Sequence, residues 1–179
     1  MTNISVRKVV TGEENTLLKI SVETFCETFS EVNAEENMSN YLETEFSIEK
    51  LKAGLQDKNV AFYFATVDDQ IIGYLKLNHA QSQTELKDDK AMEIERIYVL
   101  SSYHGKNVGQ LLLEKSLEIA SQCKVEYVWL GVWEENPRAI QFYRKNGFVA
   151  FDKHIFMLGK DPQTDILMKR ILKNTTQGQ

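Results

Sequence analysis

The sequence has little cysteine and little histidine, and these shortages argue against disulfide bonds and against a metal site. Its 179 residues include two cysteines, Cys26 and Cys123, which are far apart and form no CxxC pair. This spacing excludes a disulfide framework and a cysteine zinc site. The three histidines, His79, His104 and His154, are scattered along the chain, so no metal is expected as a cofactor.

Long apolar runs are also absent. No segment approaches the roughly 20 apolar residues that a membrane-spanning helix needs. The N-terminal stretch MTNISVRKVV lacks the apolar core of a secretion signal. We therefore expect a protein of the cytoplasm that has no membrane partner.

Basic residues are outnumbered by acidic ones, which gives a formal net charge of −5. Binding to nucleic acid requires a basic face that neutralises phosphates, so nucleic acid is not expected as a partner. A mildly acidic chain is compatible with a cationic small molecule.

Hydrophobic spacing predicts one domain, residues 1–172, and a flexible tail, residues 173–179. The order of elements is strand, helices, hairpin, two strand–helix pairs and two closing strands, which indicates an α/β domain with a mixed sheet. The predicted strands are ISVRKVV, Val60–Val67, Ile71–Asn78, Met92–Leu100, Val125–Trp133, Ala150–Leu158 and Thr164–Leu172. The predicted helices are Glu13–Phe29, Asn33–Phe46, Ile48–Leu55, Gln110–Cys123 and a short one between Asn136 and Gly147.

Two polar features are predicted on the surface. The stretch QSQTELKDDKA is expected to be a solvated, mobile loop. Glu23, Glu27 and Glu31 recur every four residues and are expected to form one acidic helix face. A polycation could lie along such a face, although charged runs are more often simply solvated.

The turn SSYHGKNVG joins a predicted strand to a predicted helix. Gly105 and Gly109 carry no Cβ, and Asn107 tolerates positive φ better than other non-glycine residues. Lys106 adds a positive charge, and a helix start offers unpaired N–H groups to phosphate oxygens. The turn could cradle a pyrophosphate, or it could be an ordinary solvated turn.

The stretch WLGVWEENPRAIQFYRKNGF predicts a strand, a corner and a short helix. Asn136 is a good N-cap, Pro137 suits the first helical position, and Gly147 suits the stop. Asn136, Ala139 and Tyr143 then fall along one helix face. The alternative is that Tyr143 packs at a sheet edge with its hydroxyl exposed.

These two segments resemble the motifs of the GNAT superfamily of N-acetyltransferases, in the same order and spacing. The family's turn reads Q/R-x-x-G-x-G/A, and this chain departs from it at His104 and at Asn107, which replaces the first glycine. Asparagine is the mildest replacement at a left-handed position, so cofactor binding is expected to be retained. The second motif, N-x-x-A-x-x-x-Y…G-F, is matched fully, by Asn136, Ala139, Tyr143, Gly147 and Phe148.

Within the superfamily the chain resembles the PaiA-type spermidine/spermine N-acetyltransferases along nearly its whole length. The resemblance lies in ETFCETFSEVNAEENMSNYLETEF, MEIERIYV, WLGVWEENPRAIQFYRKNGF and TDILMKRIL. It implies the GNAT fold: a central mixed, mostly antiparallel sheet of about seven strands, flanked by helices, with a V-shaped splay between the fourth and fifth strands.

The resemblance also implies an activity, the direct transfer of acetyl from acetyl-CoA to a primary amine of a polyamine. Backbone groups of Ile97, Tyr98 and Val99 would pair with the pantetheine arm. Asn136 would lie along the cofactor, and Tyr143 would reach its sulfur. The pyrophosphate would be held by His104, Gly105, Lys106, Asn107, Val108, Gly109 and Gln110.

The amine must lose a proton before it can attack. A primary amine has a pKa of about 10.4, so making it neutral at pH 7 costs roughly 4–5 kcal/mol. Glu93 and Glu95 share one face of a strand, and either could take the proton directly or through water. The resemblance favours Glu95 as the base, because its distance from the glycine turn matches polyamine acetyltransferases, whereas Glu93 matches histone-type members. Alternatively, one or both are ordinary carboxylates paired with Arg96 or Lys76.

The leaving thiolate needs a proton in return. Free thiols have a pKa of about 8.5 and tyrosine a pKa of about 10, so a neutral phenol beside the sulfur can donate as the thiolate forms. Tyr143 occupies the family's acid position.

Other functions fit part of the pattern. The acceptor could be a protein N-terminus, a lysine or an aminoglycoside, or the chain could be a non-catalytic regulator that binds acetyl-CoA. The retention of Tyr143 and the paired glutamates favours catalysis. The two closing strands could pair across a homodimer interface, by analogy of fold alone.

Overall fold

Seven strands and five helices follow one another along residues 3–172, the part of the chain that the computed structural model describes. The strands are β1 (Ile4–Lys8), β2 (Val60–Val67), β3 (Gln70–His79), β4 (Ala91–Val99), β5 (Tyr127–Trp133), β6 (Val149–Leu158) and β7 (Asp161–Ile171). The helices are α1 (Glu14–Phe29), α2 (Glu35–Glu45), α3 (Ile48–Gln56), α4 (Val108–Gln122) and α5 (Pro137–Lys145), with 3₁₀ turns at Ala80–Ser82 and Ser101–Tyr103. The predicted tail, residues 173–179, lies outside the described residues.

The strands form one sheet in the order β1-β2-β3-β4-β5-β7-β6. Its neighbours are antiparallel except β4 and β5, which run parallel. These two strands pair only over Ala91–Glu93 and Tyr127–Trp129, although β4 continues to Val99 and β5 to Trp133. The sheet therefore opens between them, and the predicted GNAT fold with a splay after the fourth strand is confirmed.

A β-bulge interrupts β4 where it begins to leave β5. Lys76 of β3 pairs with Arg96, but the next residue, Leu77, pairs with Ile94, so Glu95 is an extra residue on β4. An extra residue bends the strand and shifts its alternation by one. Both glutamates of β4 and Arg96 consequently project from the same face of the sheet.

The two faces of the sheet have separate cores. One core packs α4 and α5 on residues such as Ile94, Ile97 and Val132. The other packs α1, α2 and α3 on residues such as Phe62 and Tyr98. None of the helices between residues 3 and 172 combines the length and apolar character needed to cross a bilayer.

The predicted elements agree with the structure to within a few residues at their ends. The largest difference is β7, which begins at Asp161 and not at Thr164. The strand signal is weak there, because Pro162 interrupts it and a proline cannot donate to a ladder.

The prediction of a solvated loop at QSQTELKDDKA is wrong for its first part. Gln83 is 2% exposed, and its Oε1 accepts a hydrogen bond from Trp129 Nε1 over 2.6 Å. The next residue, Thr84, is bonded to Glu93. This loop is fixed against β4 and β5 at the start of the splay.

The predicted acidic face of α1 is also only partly present. The helix ends at Phe29, so Glu31 does not belong to it. Glu27 is engaged by the turn after β4, where its carboxylate accepts from the Ser101 amide over 2.7 Å and from the Ser101 hydroxyl over 2.9 Å. Glu23 and Glu27 are both exposed on the helix, but Glu27 is bonded to Ser101.

Candidate active site

A cavity of about 910 Å³ occupies the opening between β4 and β5. It is reached from both faces of the sheet, because the diverging strands leave no backbone between them. The glycine turn and α5 border it on one face, and α1, α2, β6 and β7 border it on the other. Every predicted site residue lines it except Lys106: Glu93, Glu95, Ile97, Tyr98, Val99, His104, Gly105, Asn107, Val108, Gly109, Gln110, Asn136 and Tyr143.

The glycine turn has the backbone that an anion cradle requires. Gly105 has φ of +76°, and Asn107, the N-cap of α4, has φ of +67°. A Cβ added to Gly109 would meet no atom nearer than Phe142 Cζ, at 4.0 Å, so the cavity side of the first helical turn is open. The Lys106 ammonium lies 4.7 Å from the centre of the Tyr103 ring, and Lys106 itself does not line the cavity.

His104 and Arg138 meet across the mouth of the splay. The His104 Nε2–H donates to the carbonyl of Val99 over 2.8 Å, which leaves Nδ1 to accept from Arg138 Nη1 over 3.1 Å. Arg138 belongs to α5, on the opposite side of the opening from Val99. The sequence argument missed Arg138, although a basic residue beside Asn136 at the start of a helix is a visible signal.

Helix α5 begins and ends as the sequence predicted. The Asn136 side chain accepts from the Ala139 amide over 3.1 Å, Pro137 is the first helical residue, and Gly147 has φ of +82° just beyond the end. Capping by Asn136 sets the direction of the helix, and the helix in turn places Tyr143 on the cavity.

Tyr143 is buried, with 7% of its surface exposed. Its ring packs against Phe142 and Phe148, at centroid distances of 5.2 and 5.7 Å. Burial raises the pKa of Tyr143 far above its ordinary value, so the phenol keeps its proton at neutral pH. The tyrosine ring is therefore buried and does not lie at an exposed sheet edge.

Glu93 is held on both carboxylate oxygens. The Thr84 hydroxyl donates to Oε1 over 2.5 Å, and the Thr84 amide and the Asn78 side-chain amide donate to Oε2 over 2.8 and 3.0 Å. Only 3% of the residue is exposed. Burial raises the pKa of Glu93 despite these donors.

Glu95 has the opposite environment, although it lies two residues away. Its Oε2 is 2.5 Å from the Lys76 ammonium, and its Oε1 is 3.5 Å from the Arg96 guanidinium. Burial alone would raise the pKa of Glu95, but these two cations overcome it and lower the pKa. Asn78 Nδ2 also donates to Oε2 over 2.6 Å, so one amide joins both glutamates.

Asp165 of β7 lies on the wall of the cavity formed by the closing strands. Its Oδ2 is 3.3 Å from the position that a Cβ on Gly131 would occupy, so the missing side chain of Gly131 leaves room for the carboxylate. Burial raises the pKa of Asp165 to about 6. The sequence argument missed this residue, because a strand pattern does not show which neighbours a side chain will face.

The charges that line the cavity are unevenly divided. Its carboxylates are Glu27, Glu45, Glu85, Glu93, Glu95 and Asp165, and its guanidinium groups are Arg96 and Arg138. Six acids therefore face two permanent cations. Between residues 3 and 172, no three His, Cys, Asp or Glu side chains come together as metal ligands would, and the absence of a metal cofactor stays a prediction.

A sequence model described as "Acetyltransferase (GNAT) family" matches residues 22–148. The chain belongs to the GNAT acetyltransferase family. It is also 37% identical, over 172 residues, to an uncharacterised N-acetyltransferase in the pepI 3′ region of Lactobacillus delbrueckii subsp. lactis, with 96% of this chain and 99% of the relative covered. The predicted family is thereby confirmed, and the chain is a GNAT N-acetyltransferase.

Similarity at lower identity is found to a sequence and to a crystal structure from Thermoplasma acidophilum. A spermidine N(1)-acetyltransferase is 25% identical over 154 residues, which cover 84% of this chain and 91% of the relative. The crystal structure of PaiA N-acetyltransferase in complex with coenzyme A superposes with a TM-score of 0.79 at 23% identity, covering 95% of this chain and 99% of that one. At that identity the superposition shows a shared fold.

Proposed function

We propose that this GNAT enzyme transfers acetyl from acetyl-CoA to a primary amine of a polyamine such as spermidine or spermine. The observation that carries the proposal is the lining of the cavity, where six carboxylates face two guanidinium groups. A polyamine is a flexible chain of ammonium groups, and such a chain is attracted by a focused negative potential. The similarity to a spermidine N(1)-acetyltransferase supports the same acceptor.

The residues on one face of the splay suit acetyl-CoA as the donor. The first turn of α4 offers N–H groups to a pyrophosphate, and Gly105 and Gly109 leave its approach clear. Arg138 adds a permanent positive charge beside His104. The segment Ile97–Val99 has no strand partner on the β5 side, so its backbone is free to pair with a pantetheine arm.

The acceptor would enter from the other face, where Glu93 and Glu95 lie. A general base works best when its pKa is near the working pH. Glu95 is a poor base on this criterion, because Lys76 and Arg96 stabilise its charged form. Glu93, whose pKa is raised by burial, meets the criterion better. The resemblance favoured Glu95; the assignment of the base stays a prediction, and the contacts support Glu93.

Glu95 then has an electrostatic role. Its charge balances one of the two buried cations, Lys76 and Arg96, beside the base. With Glu93 ionised the group of four charges is balanced, and with Glu93 protonated it carries one net positive charge. That excess favours return of the proton from Glu93 to solvent after each turnover.

Tyr143 is the proton donor for the leaving sulfur. Its burial keeps the phenol neutral, and it lines the cavity from the α5 side of the splay. The nitrogen–carbon bond forms as the carbon–sulfur bond breaks. Glu93 takes the proton that makes the amine neutral and passes it to solvent. The thiolate takes the Tyr143 proton, and the second proton lost by the attacking nitrogen restores the Tyr143 phenol through solvent, so both products leave neutral.

The test is release of CoA thiol from acetyl-CoA in the presence of different acceptors. Spermine, spermidine, a lysine peptide, a peptide with a free N-terminus and an aminoglycoside are compared with a reaction that lacks an acceptor. Highest kcat/KM with the polyamines supports the proposal. Preference for a peptide or an aminoglycoside overturns the acceptor, and tight acetyl-CoA binding without turnover favours the regulator.

A further inference from the structure

Asp165 is a charged side chain in the cavity for which the fold provides no partner. Its carboxylate forms no hydrogen bond or ion pair with any residue from 3 to 172. Removing a carboxylate from water without a counter-ion is costly. Asp165 therefore differs from Glu93 and Glu95, each of which is held by several donors.

The basic side chain opposite Asp165 in the strand register is already engaged elsewhere. His154 of β6 pairs with Asp165 in the strand register, but its Nε2 lies 2.9 Å from Glu85 Oε1. On β4, Arg96 is directed toward Glu95 and lies over the Phe46 ring, 4.4 Å from its centre. Among residues 3–172, Asp165 therefore has no close ion pair, and only the more distant His154 acts on its charge.

The surroundings of Asp165 favour a cation from outside. Gly131 opens the floor of the cavity beside the carboxylate. Trp133, which is opposite Asp165 in the β5–β7 register, packs against Phe29 of α1 at a centroid distance of 5.9 Å. Aromatic faces attract ammonium groups, and a desolvated carboxylate strengthens that attraction.

Asp165 is also separated from the proposed base. Glu93 is opposite Trp129 on β5, whereas Asp165 is opposite Trp133, four residues further along. The Asp165 carboxylate lies over Gly131, which is two residues beyond Trp129, and two residues of extended strand span roughly 7 Å. An ammonium group that is bonded to Glu93 therefore leaves Asp165 to a second ammonium group of the same acceptor.

We propose that Asp165 binds a second ammonium group of the acceptor and makes the enzyme prefer long diamines and polyamines to monoamines. This inference rests on the proposed function, and it adds a specificity-determining residue that is distinct from the base and the acid.

The test compares 1,8-diaminooctane with octylamine, since the two differ only in the terminal amine, and includes spermidine. The wild type is expected to have a higher kcat/KM for the diamine, and Asp165→Asn is expected to lower the diamine-to-monoamine ratio about tenfold or more, as for loss of a charge-assisted contact. Asp165→Glu keeps the charge and is expected to retain a higher ratio than Asp165→Asn. Asp152→Asn, on exposed β6 outside the cavity, is the matched control and should leave the ratio as in the wild type.

A binding measurement gives a second readout. Calorimetric titration of spermidine into the protein without a donor should show weaker binding for Asp165→Asn by a similar factor. An unchanged ratio together with unchanged spermidine affinity overturns the role of Asp165, while acetylation of polyamines leaves the proposed function standing. A wild type that acetylates none of these amines overturns the proposed function itself.

Discussion

Thr84 holds both oxygens of Glu93, with its hydroxyl on Oε1 and its amide on Oε2. The two residues lie nine positions apart, on a loop and on the strand that follows it. Donors to a carboxylate stabilise its charged form, so Thr84 limits the rise in the pKa of Glu93 that burial causes. The contact couples the loop to the acid–base behaviour of the site.

Thr84→Val removes the hydroxyl donor and is expected to raise the pKa of Glu93 further. The base is active when ionised, so activity is lost as the pH falls through this pKa. The acidic limb of the kcat/KM profile should therefore move upward by about one pH unit, which is within the energy of a hydrogen bond to a charge. Thr44→Val, which removes an exposed hydroxyl bonded within α2, is the control. If the acidic limb of the profile does not move in Thr84→Val, Glu93 is not the general base.

Glu93→Gln is expected to impair mainly catalysis, and Glu95→Gln mainly the stability of the fold. Glu93→Gln should lower kcat/KM about a hundredfold near pH 7, and the deficit should narrow above about pH 10, where the amine deprotonates unaided. Glu95→Gln should instead lower the free energy of unfolding by about 3 kcal/mol, because Lys76 and Arg96 lose their counter-ion. Kinetics against pH and urea unfolding measure the two effects. The reverse pattern would restore Glu95 as the base.

Tyr143→Phe is expected to lower kcat about a hundredfold, because the leaving thiolate loses its proton donor. The ring and its packing on Phe142 and Phe148 remain, so the affinity for acetyl-CoA should stay within about twofold of the wild type. Calorimetry and turnover assays check the two quantities. An unchanged kcat in Tyr143→Phe would show that the phenol is not the proton donor.

Asp165→Asn is expected to stabilise the protein at alkaline pH. The folded state raises the pKa of Asp165 to about 6, above the unfolded value of about 3.9. The stability difference is therefore absent below about pH 4, develops between about pH 4 and pH 6, and is complete above that range. With allowance for solvent screening, the gain at pH 8 should be about 1–2 kcal/mol in urea unfolding. Equal gains at pH 4 and pH 8 would show that the charge is not responsible.

Substitutions of Asn107 show how much its left-handed backbone conformation in the glycine turn affects stability. Its φ of +67° is left-handed, so Asn107→Ala should destabilise the fold by about 1 kcal/mol, whereas Asn107→Gly should be neutral or stabilising. Chemical denaturation of both variants measures the difference. If alanine and glycine behave alike, the left-handed conformation at this position is not the source of the cost.

Much of the architecture could be predicted from local patterns. Alternation and helical spacing located every strand and helix, and the caps at Asn136 and Gly147 fixed α5 closely. Such signals act within a few residues, so they do not depend on how the chain folds back. The homodimer and the cytoplasmic location stay predictions.

The parts that escaped prediction depend on contacts between distant residues. Gln83 reads as part of a polar loop, and only its bond to Trp129, 46 positions away, fixes that loop in place. Asp165 reads as one member of an ordinary strand, and only the register with β5 sets it over Gly131. Local composition carries no information about either neighbour.

The bulge at Glu95 shifts the alternation of side chains along β4 by one residue. Before it, even-numbered residues face the α4 side, and after it, odd-numbered residues such as Ile97 and Val99 do. A residue of β4 can therefore be assigned to a face of the sheet only if it is known on which side of the bulge it lies. A comparison of this strand with that of any relative has to place the inserted residue first, because one step of misalignment exchanges Glu93 for a side chain of the opposite face.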